Sequence, residues 1–360
     1  MTSCLRICIG CCLALLSWKA LAQDANDLIK GLLIEASWLQ HQQAQPLKDS
    51  GYKQLVINIQ SSPTDSQLRA LQRLKEHDLE VWYWIEIARD EQMAAQHPEW
   101  MASIQGHPEW RRFHPNFPKE TQGEVVKVFP WVPVFFEGAF EAHFEKVNDL
   151  LEQWPSAKGV FLNDLQGAPT ACGCGHTLCR WTTDYGPKTT ARNLGHTAPA
   201  QFIKRVMEAH PDMECIPVWA TECEAHDKDS LCAGVGCYNG ACWREWSKQL
   251  APISQATTHL AALLTYKELQ RDLDVYGTRA GWIPKAIDSF ASESKRFNHP
   301  AVPPERLIGI LQGWNTTPEE ETAQIRHLEK SGTHGFILSK MPITSEWEPR
   351  ILKMDGKPLR

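Results

Sequence analysis

The sequence lacks the features that tie a chain to nucleic acid or to a lipid bilayer. No run of five basic residues occurs, and 37 Lys and Arg against 43 Asp and Glu leave a formal charge of -6. A basic face is the usual electrostatic footprint of a nucleic-acid or anionic-membrane binder, so neither partner is expected. No apolar stretch reaches the roughly 18 residues that a spanning helix needs. There is no G-x-S-x-G elbow, no H-E-x-x-H pair and no P-loop. Glu35-Ala36-Ser37-Trp38 stands where a dinucleotide-binding fold would place its glycines. No cofactor is expected. Low-complexity tracts and fold repeats are also missing, apart from His97-Pro98-Glu99-Trp100 echoed at His107-Pro108-Glu109-Trp110.

What remains is a globular balance. The chain has 360 residues, 42% apolar and 22% charged, enough for a sizeable core. Residues 1–22 carry Arg6, an apolar run from Ile7 to Leu16 and Ala20-Leu21-Ala22. That is the pattern of a secretory signal, so the mature chain is expected to start near Gln23 and to work in the periplasm or outside the cell. Four of the 12 cysteines would leave with that segment. The other eight are Cys172, Cys174, Cys179, Cys215, Cys223, Cys232, Cys237 and Cys242. An even number in an oxidising compartment favours disulfides, whose pairing the sequence does not fix. The rival reading is a metal site on Cys172, Cys174, His176 and Cys179, although two separated C-x2-C pairs, the commoner zinc spacing, are absent.

Eight short apolar runs read as buried parallel strands: Leu32–Ser37, Gln54–Gln60, Val81–Ile87, Gly159–Leu165, Cys215–Thr221, Ala261–Lys267, Leu307–Trp314 and Gly335–Lys340. Amphipathic stretches such as Gln67–His77, Phe140–Trp154, Ala200–His210 and Glu319–Lys330 lie between them. Thr317-Pro318-Glu319-Glu320 is a capping box with Pro at the first helical position. Alternating units of this kind predict one α/β domain over 23–360. The expected fold is a (β/α)8 TIM barrel with expanded, cysteine-rich loops after strands four and five.

Barrels place their chemistry at the C-terminal ends of the strands. Glu35, Asn58, Trp84, Glu86, Asn163, Asp164, Trp219, Glu222, Tyr266, Gln312 and Trp314 stand there, with Trp38 and Trp181 in the following loops. This acidic, aromatic and amide-rich set suits carbohydrate chemistry. Glycoside hydrolysis uses two carboxyls across the scissile bond, and sugar rings offer C–H faces to Trp and hydroxyls to amides. Asp164 and Glu222 are the leading catalytic pair, with Glu86 and Glu35 as substitutes. The binding set is Trp38, Asn58, Trp84, Asn163, Trp181, Trp219, Tyr266, Gln312 and Trp314. Strand period two would turn Leu162 and Val160 inward with Asp164, and Ala220 and Val218 inward with Glu222.

The strand-three run, the His97-Pro98-Glu99-Trp100 step and the strand Gly159–Asp164 together resemble glycoside hydrolase-like (β/α)8 barrels, in which uncharacterised families show this step after strand three. The resemblance covers roughly Val81–Leu165. It implies a nucleophilic Asp ending strand four and an acidic Glu ending strand five, the positions of Asp164 and Glu222. The expected partner is an oligo- or polysaccharide, cleaved or bound. The alternatives are a non-catalytic carbohydrate-binding or assembly barrel, and a periplasmic metal-binding protein.

Overall fold

The computed structural model describes residues 28–104, 124–165, 181–182, 194–220, 243–265, 277–297, 300–343 and 348–353. The strands among them are β1 (Ile29–Glu35), β2 (Gln54–Asn58), β3 (Glu80–Glu86), β4 (Ser103–Ile104), β5 (Glu124–Phe129), β6 (Gly159–Asn163), β7 (Trp181–Thr182), β8 (Glu214–Ala220), β9 (Leu260–Leu264), β10 (Leu307–Gln312), β11 (Gly335–Ser339) and β12 (Glu348–Lys353). Eight of them close a barrel in the order β1-β11-β10-β9-β8-β6-β3-β2, every pairing parallel. Helices cover the outside between successive barrel strands, among them Asp65–Lys75, Glu137–Gln153, Ala198–Ala209 and Pro318–Lys330. The protein is therefore a (β/α)8 barrel. No described helix is long and apolar enough to cross a membrane.

Sequence chemistry places the elements. Thr317 accepts from the Glu320 backbone N–H while the Glu320 side chain takes the Thr317 N–H, closing the expected capping box. Gly332 follows that helix at φ +71°, the left-handed turn that leads into β11. Both faces of the strands are covered, which explains their unbroken apolar runs.

Strand register and three glycines fix which side chains fill the barrel. A Cβ on Gly309 would strike Leu328 of the helix Pro318–Lys330, so that face looks outward. A Cβ on Gly31 would strike Ile337, and one on Gly159 the ring of Trp82, so those faces look inward. The interior therefore holds Leu33, Val56, Trp82, Trp84, Phe161, Ile216, Val218, Ala261, Leu263, Ile308, Ile310 and Ile337, all buried. Bulky Trp82 and Trp84 face Phe161 at ring-centroid distances of 5.5 and 6.2 Å. Gly159 on the neighbouring strand β6 leaves space for the Trp82 indole in so narrow a barrel.

A second, antiparallel sheet in the order β12-β5-β4-β7 lies outside the barrel. It was not foreseen, and it accounts for part of the long β3-to-β6 connection. The His97-Pro98-Glu99-Trp100 step serves this layer as a structural joint. His97 stacks on Trp100 at 3.8 Å, and Trp100 occupies the space beside Gly138. The buried Lys127 of β5 donates to the carbonyls of Glu99 (3.2 Å) and Met101 (2.8 Å). Burial lowers the Lys127 amine to about 7, with Glu99 pulling the other way.

Candidate active site

The C-terminal mouth of the barrel gathers a polar cluster on four consecutive strands, β1, β2, β3 and β6. Glu86 is its centre and is buried. Trp84 Nε1 donates to Glu86 Oε1 at 2.8 Å, and Asn163 Nδ2 donates to Oε2 at 2.7 Å. Arg89 stands 3.6 Å from Oε1. Both oxygens are thus taken by donors, the surroundings of a carboxylate. Arg89 is braced in turn: it pairs with Trp131 across an isolated bridge, and Val132 N–H donates to Ala88 O at 2.7 Å.

Asp164 follows β6 and adopts φ +63°, a left-handed conformation that Asp tolerates better than most residues. This corrects the expected facing. Val160 and Leu162 point outward to the helix layer, while Phe161 and Asn163 point in. The positive φ comes after the strand has ended, so strand parity does not set the direction of Asp164. Its carboxyl meets Glu86 in a hydrogen bond. The residue as a whole is half-buried, yet its Oδ2 is enclosed and has no partner. Burial first, then the Glu86 charge and the shared hydrogen bond, push the Asp164 carboxyl well above the usual range, while Arg89 opposes them. A hydrogen bond between two carboxyls needs a proton between them, which belongs to the pair.

Glu35 ends β1 near the same pair. Burial raises its carboxyl and the Glu86 charge adds to the rise, against a hydrogen bond from Asn58 and the Arg89 charge. Asn58 Nδ2 reaches Glu35 Oε2 at 3.1 Å, and Gln60 Nε2 holds Asn58 Oδ1 at 2.8 Å. Across the barrel, Gln312 ends β10 and Ser339 ends β11, with Ser339 Oγ donating to Met341 O at 2.7 Å.

The expected site residues thus divide. Glu35, Asn58, Glu86, Asn163 and Asp164 come together, and Gln312 faces the same mouth. Trp38, 41% exposed in the turn after β1, stays available as a ring platform. Trp84 is no platform: it is fully buried and acts as a donor to Glu86. Trp219 is also buried, on the outward face of β8, and Trp314 is nearly so. Large rings at strand ends pack because the barrel and its helix layer leave them no route to solvent. Trp181 lies in β7 of the second sheet, paired with Ile104. Glu222, Tyr266, Cys172, Cys174, Cys179, Cys223, Cys232, Cys237 and Cys242 lie outside the described residues.

Cys215 departs from the disulfide expectation, since its thiol is free and buried. It sits at the start of β8, the end of the strand away from the following cysteine-rich loop, and faces the helix layer. Burial pushes its thiol far up, with Glu214 adding to the shift. Among the described residues no group of three His, Cys, Asp or Glu could hold a metal ion. Arg89 was missed by sequence reasoning, although a cation three residues beyond a strand-end Glu is a legible signal.

No family model matches the chain, and no curated protein does. Solved structures do match. The C-terminal domain of ChiA from Legionella pneumophila is 10% identical over 86% of this chain and 91% of its own, with a TM-score of 0.44. A putative alpha-L-fucosidase from Bacteroides thetaiotaomicron is 8% identical, covering 88% and 90%, at 0.43. A chitinase from Cycas revoluta, solved with (GlcNAc)4, is 7% identical, covering 88% and 95%, at 0.43. Likeness at this level adds nothing to the geometry above.

Proposed function

We propose that the barrel binds a saccharide across its C-terminal mouth and cleaves a glycosidic bond there. The observation that carries this reading is the Glu86–Asp164 pair, two carboxyls in hydrogen-bond contact with the Asp164 acid pushed up by burial and the Glu86 charge, with a third carboxyl, Glu35, near by. Asp164 donates its proton to the leaving glycosidic oxygen as the C–O bond breaks. Glu86, held at both oxygens by Trp84, Asn163 and Arg89, keeps that proton on Asp164 and steadies positive charge on the sugar. Glu35, oriented by Asn58, takes the proton of the attacking water or itself attacks the anomeric carbon. Glu222 is the proposed substitute for this second role. Trp38 offers the ring face at the rim.

The test is a panel of reducing-end-labelled neutral, amino and acidic oligosaccharides incubated with wild-type protein and with Glu86→Gln. Cleavage of one member by wild type, reduced about 10²–10³-fold in the variant, supports the assignment. A second reading, binding without cleavage, is favoured by one observation. Glu86 and Asp164 touch, whereas hydrolase carboxyl pairs stand roughly 5–10 Å apart. It expects retention of a saccharide with no product. Neither cleavage nor retention sinks both.

We also propose export, on the signal-like residues 1–22. N-terminal sequencing of the protein from its native host is expected to begin near Gln23, and an intact Met1 counts against it.

A further inference from the structure

Gln312 is 2% exposed and ends β10 on its inward face. Counting round the closed barrel, β10 and β3 stand four strands apart in either direction, so Gln312 lies opposite Glu86. Its backbone is clamped by the fully buried Gln324: Gln312 N–H donates to Gln324 Oε1 at 3.1 Å, and Gln324 Nε2 donates to Gln312 O at 2.8 Å. Its own Nε2 donates to Trp314 O at 3.2 Å. Only Oε1 is left, buried and without a partner. Turning the amide over would set oxygen against the Trp314 carbonyl, so the network itself fixes which amide atom is the acceptor.

An enclosed acceptor without a donor is costly to keep, and the Nε2 bond to Trp314 O restrains the amide from turning to find one. The mouth has a second acceptor of the same kind, Asp164 Oδ2, on the opposite wall. Around them stand Glu35 and Glu86, with Arg89 as the cation against Glu86. Lys340, next after β11, is committed to Glu321. Both vacant positions ask for donors, and the surrounding charge disfavours an anion.

We infer that the ligand is a neutral or amine-bearing sugar, and that one of its hydroxyl or amino groups donates to Gln312 Oε1 across the mouth from the Glu86–Asp164 pair. Gln312 is then the specificity-determining residue of the far wall. This inference rests on the carbohydrate reading above and narrows its substrate class. A site built to accept from a substrate hydroxyl strongly rejects a ligand that lacks it, because the acceptor is then left unpaired.

The experiment is calorimetric titration of wild type, Gln312→Met and Gln312→Glu with cellotetraose, a glucosamine tetramer and tetragalacturonate. Wild type is expected to bind a neutral or amine-bearing probe at least about 10-fold more tightly than tetragalacturonate. Gln312→Met, which keeps the length and removes the acceptor, should lose about 10- to 100-fold on that probe. Gln312→Glu sets its second oxygen against the Trp314 carbonyl, so it recovers the loss only while that oxygen is protonated, and its binding should weaken as pH rises. Equal binding of tetragalacturonate, or unchanged affinity in Gln312→Met, overturns the inference and leaves the carbohydrate reading standing. If Gln312→Met does not fold, Gln312→Glu decides: unaltered pH dependence of its binding overturns the contact. No retention of any probe by wild type overturns the carbohydrate reading itself, and this inference with it.

Discussion

Replacing Asp164 with Asn is expected to remove turnover and, at pH 7, to make the protein more stable. Asn tolerates the left-handed backbone at this position, so the change adds no strain. Its amide donates to Glu86 in place of the shared proton. In the native wild type, burial and the Glu86 charge keep Asp164 protonated above the pH at which an exposed Asp ionises. The unfolded chain gives up that proton from about pH 4 upward. Between that pH and the raised native value, the unfolded state binds fewer protons than the native one, so wild-type stability falls as pH rises. Asn does not titrate and escapes this loss. The variant should therefore be more stable than wild type at pH 7, and the gain should fade as pH falls below about 4. Its rate should drop about 10²–10⁴-fold for want of a proton donor. Urea unfolding across pH 3–8 and initial rates on the cleaved substrate read both effects. A variant less stable than wild type at pH 7 refutes the buried-acid reading, and an active one refutes the catalytic role.

The largest stability effect belongs to Gly335→Ala. Gly335 opens β11 at φ +138°, where side chains are rarely accommodated. An added Cβ would lie 2.0 Å from Ile29 O and 2.7 Å from Ile29 N. Both are backbone atoms of β1, so no side chain can swing aside. The residue sits where β1, β10 and β11 meet, in register with Ile29 and Ile308. Relief of the clash would have to part a strand pair of the closed barrel. The expected cost exceeds about 4 kcal/mol, enough to deplete the folded state at 37 °C. Gly332→Ala is the control: its φ is +71° but nothing lies within 4 Å, so it should lose only about 1 kcal/mol. Circular dichroism melts and soluble yield distinguish them, and a Gly335→Ala protein melting with wild type would contradict the described seam.

Which parts of this structure were legible depended on how local their cause was. The eight barrel strands were readable because helices cover one face and barrel packing the other, leaving continuous apolar runs such as Leu307–Gln312. The Thr317 cap was readable because its partners lie three residues apart. Asp164 was found as a strand-end acid, but its neighbours were assigned to the wrong face. Parity holds only inside a strand, and β6 stops at Asn163 before the backbone turns left-handed. An indole at a strand end reads the same in sequence whether it packs, as Trp84 and Trp219 do, or projects as a platform. Strand register decides between them, turning Trp84 into the filled barrel and Trp219 onto the helix layer. The second sheet was not legible because β4 and β7 are two residues long, too short for any periodicity, and β5 finds its long partner β12 far along the chain.

That sheet has a kinetic consequence. β5 is made well before its long partner β12, which follows the last barrel strand. Closing so long a loop defers the pairing, because the entropy of bringing the ends together falls due before any contact rewards it. The β3-to-β6 insertion must therefore wait as an open strand edge while most of the barrel is still being made, and an open edge is where one nascent chain adds to another. Pairing with β12 closes that edge, and until then a charged residue such as Lys127 within β5 interrupts the apolar run that would otherwise recruit a stranger.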